Sequence, residues 1–139
     1  MPLTLKSCTS DAESSFYSDA GGYDLTVAFR SPDLSVTREI YTSPEFPGPL
    51  SLFAALAAET RPWVGSHEWE SLEGELKLRV TCDSVGHVLF KIEIGKQSGP
   101  APWAVNTRLL MELGQLPAVG RAAEAFFPGP ENSNAPGPV

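Results

Sequence analysis

The side chains that most often carry chemistry are scarce here: of 139 residues, two are histidine and two are cysteine. A serine or cysteine nucleophile needs a positioned base held by a third group, and only His67 and His87 could serve as that base. No G-x-S-x-G elbow occurs, and the one glycine pair, Gly21-Gly22, leads into a strand pattern rather than a helix, so no phosphate-cradling loop is present. Cys8 and Cys82 lie far apart in sequence and form no metal or redox spacing. Neither a cofactor nor a metal site is expected, and no catalytic residue is assigned.

Positive charge is also short. Ten basic residues face seventeen acidic ones, a formal net charge of −7, so the average field repels phosphate backbones and anionic lipid head groups. Nucleic acid and membranes are therefore not expected partners. No apolar run reaches membrane-spanning length, and Met1-Pro2-Leu3-Thr4-Leu5-Lys6 lacks the features of a signal peptide. A cytoplasmic, reduced protein is the expectation.

Hydrophobic residues make up 42% of the chain, enough for a core of its own at this length. Two-residue periodicity marks strands over 23–30, 34–42, 75–82, 87–94 and 103–113, and Leu3 to Lys6 is compatible with a short edge strand. Thr9 to Gly22 is mostly polar and small, apart from Phe16 and Tyr17, and reads as a loop. Leu50 to Thr60 reads as a helix with Leu50, Phe53, Ala54 and Ala57 on one face, capped by Gly48 or Ser51 and stopped by Pro62. A second helix places Leu116, Val119, Gly120, Ala123 and Phe127 together, with Pro117 in its first turn. The order β-β-β-α-β-β-β-α predicts an α+β fold: one antiparallel sheet of five or six strands with two packed helices. Residues 1–127 form the expected domain, best defined from 22, and 128–139 a disordered Pro/Gly-rich tail.

The segment from Trp63 to Gly74 reads as an acidic turn bracketed by Trp63 and Trp69. Glu75 is expected to face outward with Lys77, Arg79 and Thr81. Asp83-Ser84-Val85-Gly86 reads as a tight turn in which Asp83 accepts from backbone amides or from His87, and Gly86 takes positive φ. Cys82 reads as a small buried hydrophobe.

Trp69-Glu70-Ser71-Leu72-Glu73-Gly74-Glu75-Leu76, then Asp83 with Gly86-His87-Val88, then Glu112-Leu113-Gly114-Gln115-Leu116, resembles a family of small bacterial proteins of unknown function. A looser likeness, in the S-L-E turn, the G-H-V strand and the Q-L helix start, links the chain to WapI-type immunity proteins, which neutralise secreted toxins. At the turn, Ser84-Val85 departs from the Gly-Leu-like pair of the family pattern. The first resemblance implies no catalytic residues. The second implies a binding role, with a basic toxin domain as the protein partner.

Two functional expectations follow. The first is a small, acidic, non-catalytic protein-binding domain, an immunity protein being one form, with Glu68, Trp69, Glu70 and Glu73 at the contact. The second is a small-molecule-binding module whose pocket, between sheet and helix, is lined by Trp63, Trp69, Phe90 and Trp103.

Overall fold

Eight strands and two helices are present in the computed structural model, which describes residues 2–18 and 24–127. The expected tail over 128–139 and the Gly21-Gly22 pair lie outside the described residues. The first four strands, β1 (Leu3–Lys6), β2 (Glu13–Ser18), β3 (Asp24–Ser31) and β4 (Leu34–Tyr41), pair in chain order as an antiparallel meander. Helix α1 (Leu50–Ala57) follows. A second antiparallel meander is built from β5 (His67–Glu70), β6 (Leu76–Cys82), β7 (His87–Lys96) and β8 (Trp103–Glu112). A 3-10 turn over Leu113–Gln115 leads into α2 (Leu116–Phe126).

The α+β class stands, but one sheet of five or six strands becomes two sheets of four. The two unforeseen strands explain the difference. In β2 the residues turned inward include Ser14 as well as Phe16, so hydrophobic alternation is nearly lost although Ser14 and Ser15 are both buried. In β5 four residues, His67-Glu68-Trp69-Glu70, carry two carboxylates that face solvent, which made a strand look like part of an acidic turn.

One hydrophobic cluster joins the inner faces of both sheets to the helices. Leu5, Phe16 and Val27 come from the first sheet, Leu78, Phe90 and Leu109 from the second, and Phe53, Leu56, Leu116 and Phe127 from the helical parts. Burial of each such side chain contributes roughly 1.5–3 kcal/mol. Phe16 meets Phe127 edge-on at 5.7 Å between centroids, and Phe53 stacks on Phe127 at 6.1 Å. These offset and edge-on geometries suit the ring quadrupoles.

Helix α1 is shorter than its sequence suggested and turned differently. It ends at Ala57, and it buries Leu52, Phe53 and Leu56, leaving Ala54 exposed. Its sequence, LSLFAALA, is apolar on nearly every side, so periodicity could not select a face and the bulkier side chains took the core. Pro49, not Gly48 or Ser51, is at the N-cap position, and no side chain caps the helix. Gly48 is instead packed under the Phe127 ring, which would lie 3.1 Å from an added Cβ.

Helix α2 keeps its expected face. It crosses α1 closely at Gly120, where a Cβ would lie 2.4 Å from the Ala57 Cβ. Gly120→Val is therefore expected to cost about 1–3 kcal/mol by overpacking, read as a lowered midpoint in urea. In the Gly120→Val background, Ala57→Gly should restore part of the loss, and no restoration would show that this crossing is not the cause.

Candidate functional site

The solvent face of the second sheet carries a groove of about 620 Å³ crossing all four strands. Strand register builds it. Trp69, Leu78, Ile92 and Thr107 lie side by side and turn inward, so their backbone forms the floor. The residues before and after them turn outward, as successive side chains on a strand must. One wall is the cross-strand row Glu68–Arg79–Lys91–Arg108, and the other is Glu70–Lys77–Glu93–Asn106.

The walls hold four cations and three carboxylates. Arg79 Nε lies 3.4 Å from Glu68 Oε2, and Lys77 Nζ lies 3.8 Å from Glu93 Oε2. Exposed pairs of this kind contribute roughly 0–1 kcal/mol, so they orient side chains more than they stabilise the fold. Lys91 and Arg108, neighbours across β7 and β8, are both exposed and form no ion pair among the described residues. Farther along the same face Thr81, Leu89 and Leu110 adjoin, which accounts for Leu89 among outward polar positions.

Of the four residues singled out as a contact, Glu68, Trp69 and Glu70 line the groove and Glu73 lies outside it. Glu68 and Glu70 line the groove, with their neighbours on β6 basic. Trp69 is half-buried and packs against the core. Glu73, exposed at the β5–β6 turn, borders a different concavity of about 720 Å³, together with Tyr17, Arg38, Glu39 and Tyr41. The four aromatic residues also separate. Phe90 is fully buried, Trp103 is exposed at the start of β8, and Trp63 packs edge-on to His67 at 5.2 Å. Trp69 contributes to the groove, whereas Trp63, Phe90 and Trp103 line neither concavity.

Glu75 corrects the expectation for this hairpin. Its side chain is buried, not outward, because β6 begins only at Leu76 and the turn ending at Gly74, with φ +76°, swings Glu75 toward the first sheet. The Ser71 hydroxyl donates to Glu75 Oε1 at 2.6 Å, and the Tyr41 N–H donates to Oε2 at 2.9 Å. The Leu76 N–H in turn donates to Ser71 Oγ at 3.1 Å. Desolvation pulls the carboxyl upward, but the Ser71 and Tyr41 hydrogen bonds, with the Arg38 charge, outweigh it, and its pKa falls below the ordinary glutamate value. Arg38 adds a parallel tie, its Nε–H donating to the Gly95 carbonyl at 3.0 Å.

At the β6–β7 turn the forecast geometry is present. Asp83 Oδ1 accepts the Val85 and His87 amides, both at 2.9 Å, and Gly86 has φ +92°. Asp83 Oδ2 lies 2.8 Å from His87 Nδ1. The His87 amide and ring lower the Asp83 pKa, and Asp83, with Glu112 nearby, raises that of His87. Ser84 makes no hydrogen bond with either ring or carboxylate. His67 Nε2 lies 2.7 Å from Glu59 Oε2. Both cysteines are free; Cys82 is half-buried against the core, and burial, with the charges of Asp83 and Glu59, pushes its thiol pKa up. Among the described residues no three His, Cys, Asp or Glu side chains gather as a metal cluster, and no helix is long and apolar enough to cross a membrane.

Residues 8–130 match DUF6228, a family of unknown function, and the chain belongs to it. No curated protein and no solved structure matches the chain. The three stretches quoted from the sequence lie within the matched span, and each has a structural task. Ser71 to Gly74 closes the β5–β6 turn through the Gly74 N–H to the Ser71 carbonyl, 3.0 Å. Asp83 and Gly86 shape the next turn. Glu112 and Gln115 form a reciprocal capping box ahead of α2, with the Glu112 N–H donating to Gln115 Oε1 at 2.7 Å.

Two outcomes follow from the paired acids. Glu75→Gln should lower stability at pH 7 by roughly 1.5–3 kcal/mol, the range for a hydrogen bond to a charged group. A depressed folded-state pKa contributes stability above the unfolded value of roughly 4.3, and that contribution is lost as pH falls through the folded value. Urea unfolding at pH 7 and pH 3 should therefore show a difference between wild type and variant that shrinks in acid; an equal difference at both would refute the ionised clasp. For His87, proton NMR titration should give a pKa above an ordinary histidine, falling toward it in Asp83→Asn.

Proposed function

We propose that this chain is a non-catalytic protein-binding domain that uses the open face of its second sheet. The observation that carries the reading is the groove itself. It spans the whole sheet, its floor is backbone, its walls are paired and unpaired charges, and no serine, cysteine or histidine lines it. Such a surface offers shape and charge complementarity, the means by which interfaces gain specificity.

A bacterial toxin domain is the partner suggested by the likeness to WapI-type immunity proteins, and a cytoplasmic location would suit that role. The cross-strand register modifies the expected chemistry of the contact. Glu68 and Glu70 stand beside Arg79 and Lys77, so a partner meets both signs and not a uniformly acidic face.

A second reading, a small-molecule module, is favoured by the other concavity, where Tyr17, Tyr41 and Arg38 surround about 720 Å³. A metabolite that binds only the folded chain raises its melting temperature. Loss of that rise in Tyr41→Ala, with no effect of groove substitutions, would favour this reading over the first.

The protein-binding reading is tested by capture from native lysate with wild type and a Lys91→Glu/Arg108→Glu variant of unchanged melting temperature. A specific protein retained by wild type should be lost from the variant at least tenfold and should weaken in 0.5 M salt, since exposed charges are screened beyond a few ångströms there. Equal retention by both forms would count against the groove.

A further inference from the structure

We propose that the outer edge of β8 is a strand-addition site for an acidic, extended segment of a protein partner; this rests on the protein-binding reading and specifies its chemistry. The direction of the β8 peptide groups follows from the hydrogen bonds around it. On β7, Gly95 donates to the Glu75 carbonyl and His87 accepts from the Asp83 N–H, so alternate residues from 87 to 95 turn toward β6. The residues between them turn toward β8, where Phe90, Ile92 and Ile94 face Leu109, Thr107 and Val105. Ala104, Asn106, Arg108 and Leu110 therefore present their N–H and C=O groups away from the sheet.

Leu110 shows the consequence, because its carbonyl accepts the Cys8 N–H at 2.8 Å. Ala104, Asn106 and Arg108 have no such backbone partner among the described residues. This stretch contains no proline, and its register with β7 runs without a bulge. Other outer edges are shorter or engaged. β1 and β5 are four residues each, and the Tyr41 amide of β4 is held by Glu75. An open edge of this kind is the template on which extended peptides add.

Charge selects the occupant. Lys91 and Arg108 lie directly across from one another, an arrangement that is unfavourable for like charges on a sheet. Their row starts with a carboxylate, Glu68 on β5, continues through Arg79, and ends on Arg108 at the open edge with no acid beyond it. A ninth strand placed about 4.8 Å from β8 puts an acidic side chain beside Arg108 and closes the row. A second copy of β8 would instead bring a second Lys91 and Arg108 to the same edge, with no carboxylate to close the row.

The test uses the full chain, labelled with nitrogen-15, and an acetylated, amidated hexapeptide alternating Glu and Val, with its Lys-Val counterpart as control. At saturation the acidic peptide should slow amide exchange at Ala104, Asn106 and Arg108 at least tenfold, and the control should not. Asn106→Pro removes an N–H that no ladder bond uses, a place where a strand tolerates proline. It should retain the fold and abolish protection at Ala104 and Arg108, and Arg108→Glu should weaken peptide binding at least tenfold. Peptide binding unaltered by Asn106→Pro, equal protection by the lysine peptide, or self-association of the chain through this edge in sedimentation each overturns the proposal. A lysate protein captured equally by wild type and Asn106→Pro overturns strand addition while leaving the binding reading intact. A wild-type chain that shows neither peptide protection nor a captured protein overturns both.

Discussion

Glu75 is the constraint on which the mutual arrangement of the two sheets depends. Each sheet is a meander of neighbouring strands and needs only short connections to form. Apolar packing brings the inner faces together but is non-directional, and by itself does not fix how one sheet is set against the other. The carboxylate that leaves the β5–β6 turn and accepts the amide of Tyr41 supplies direction, and Arg38 reaching the Gly95 carbonyl supplies it a second time. Both ties join the end of β4 to the second sheet. At the opposite margin the Cys8 amide meets the Leu110 carbonyl, so polar contacts join the sheets at both margins and the apolar cluster fills the space between.

A buried carboxylate is costly unless its lone pairs are used. Ser71 is what makes this one tolerable. Its hydroxyl donates to Glu75 and at the same time accepts the Leu76 amide, while its carbonyl accepts the Gly74 N–H that closes the turn. Turn formation and carboxylate satisfaction thus use one residue, and Gly74 is required because the chain passes through positive φ there. The most recognisable stretch of the sequence is accordingly a folding device. The same holds for Asp83 with Gly86, and for Glu112 with Gln115, which is why a distinctive pattern of residues coexists with so little visible chemistry.

The features legible in the sequence were those fixed by neighbours in the chain. Strands β3, β4, β6, β7 and β8 alternate over most of their length, α2 has a proline in its first turn and a one-sided apolar face, and the Asp83 turn follows from an aspartate and a glycine three apart. What was not legible depended on residues distant in the chain. Ser14 is buried because β1 and β3 flank it, not because serine prefers burial. Glu75 looked outward because counting by two from Leu76 puts it there, and only the turn geometry and the Tyr41 amide reverse that. The acidic density from Glu68 to Glu75 was real along the chain but is dispersed in space, with two carboxylates among cations on one sheet, one at a turn tip, and one inside.

That dispersal decides how charge operates at the candidate site. Seen from far away the molecule carries −7 and repels anions. At physiological ionic strength the field is screened over about 8 Å, so a partner close to the second sheet responds to the side chains within that radius and not to the total. Four of the ten basic residues lie in the groove walls, and the two without partners stand at the side where the sheet is open. For the acidic segment proposed to add at β8, weak repulsion at a distance combined with attraction at contact would slow encounter but leave the bound state favourable, rejecting anions at large and admitting one whose shape lets its carboxylates reach Arg108 and Lys91. Discrimination under that proposal would come from the backbone edge and the row of side chains acting on the same segment, because an anionic ligand unable to extend beside β8 would satisfy only one of the two.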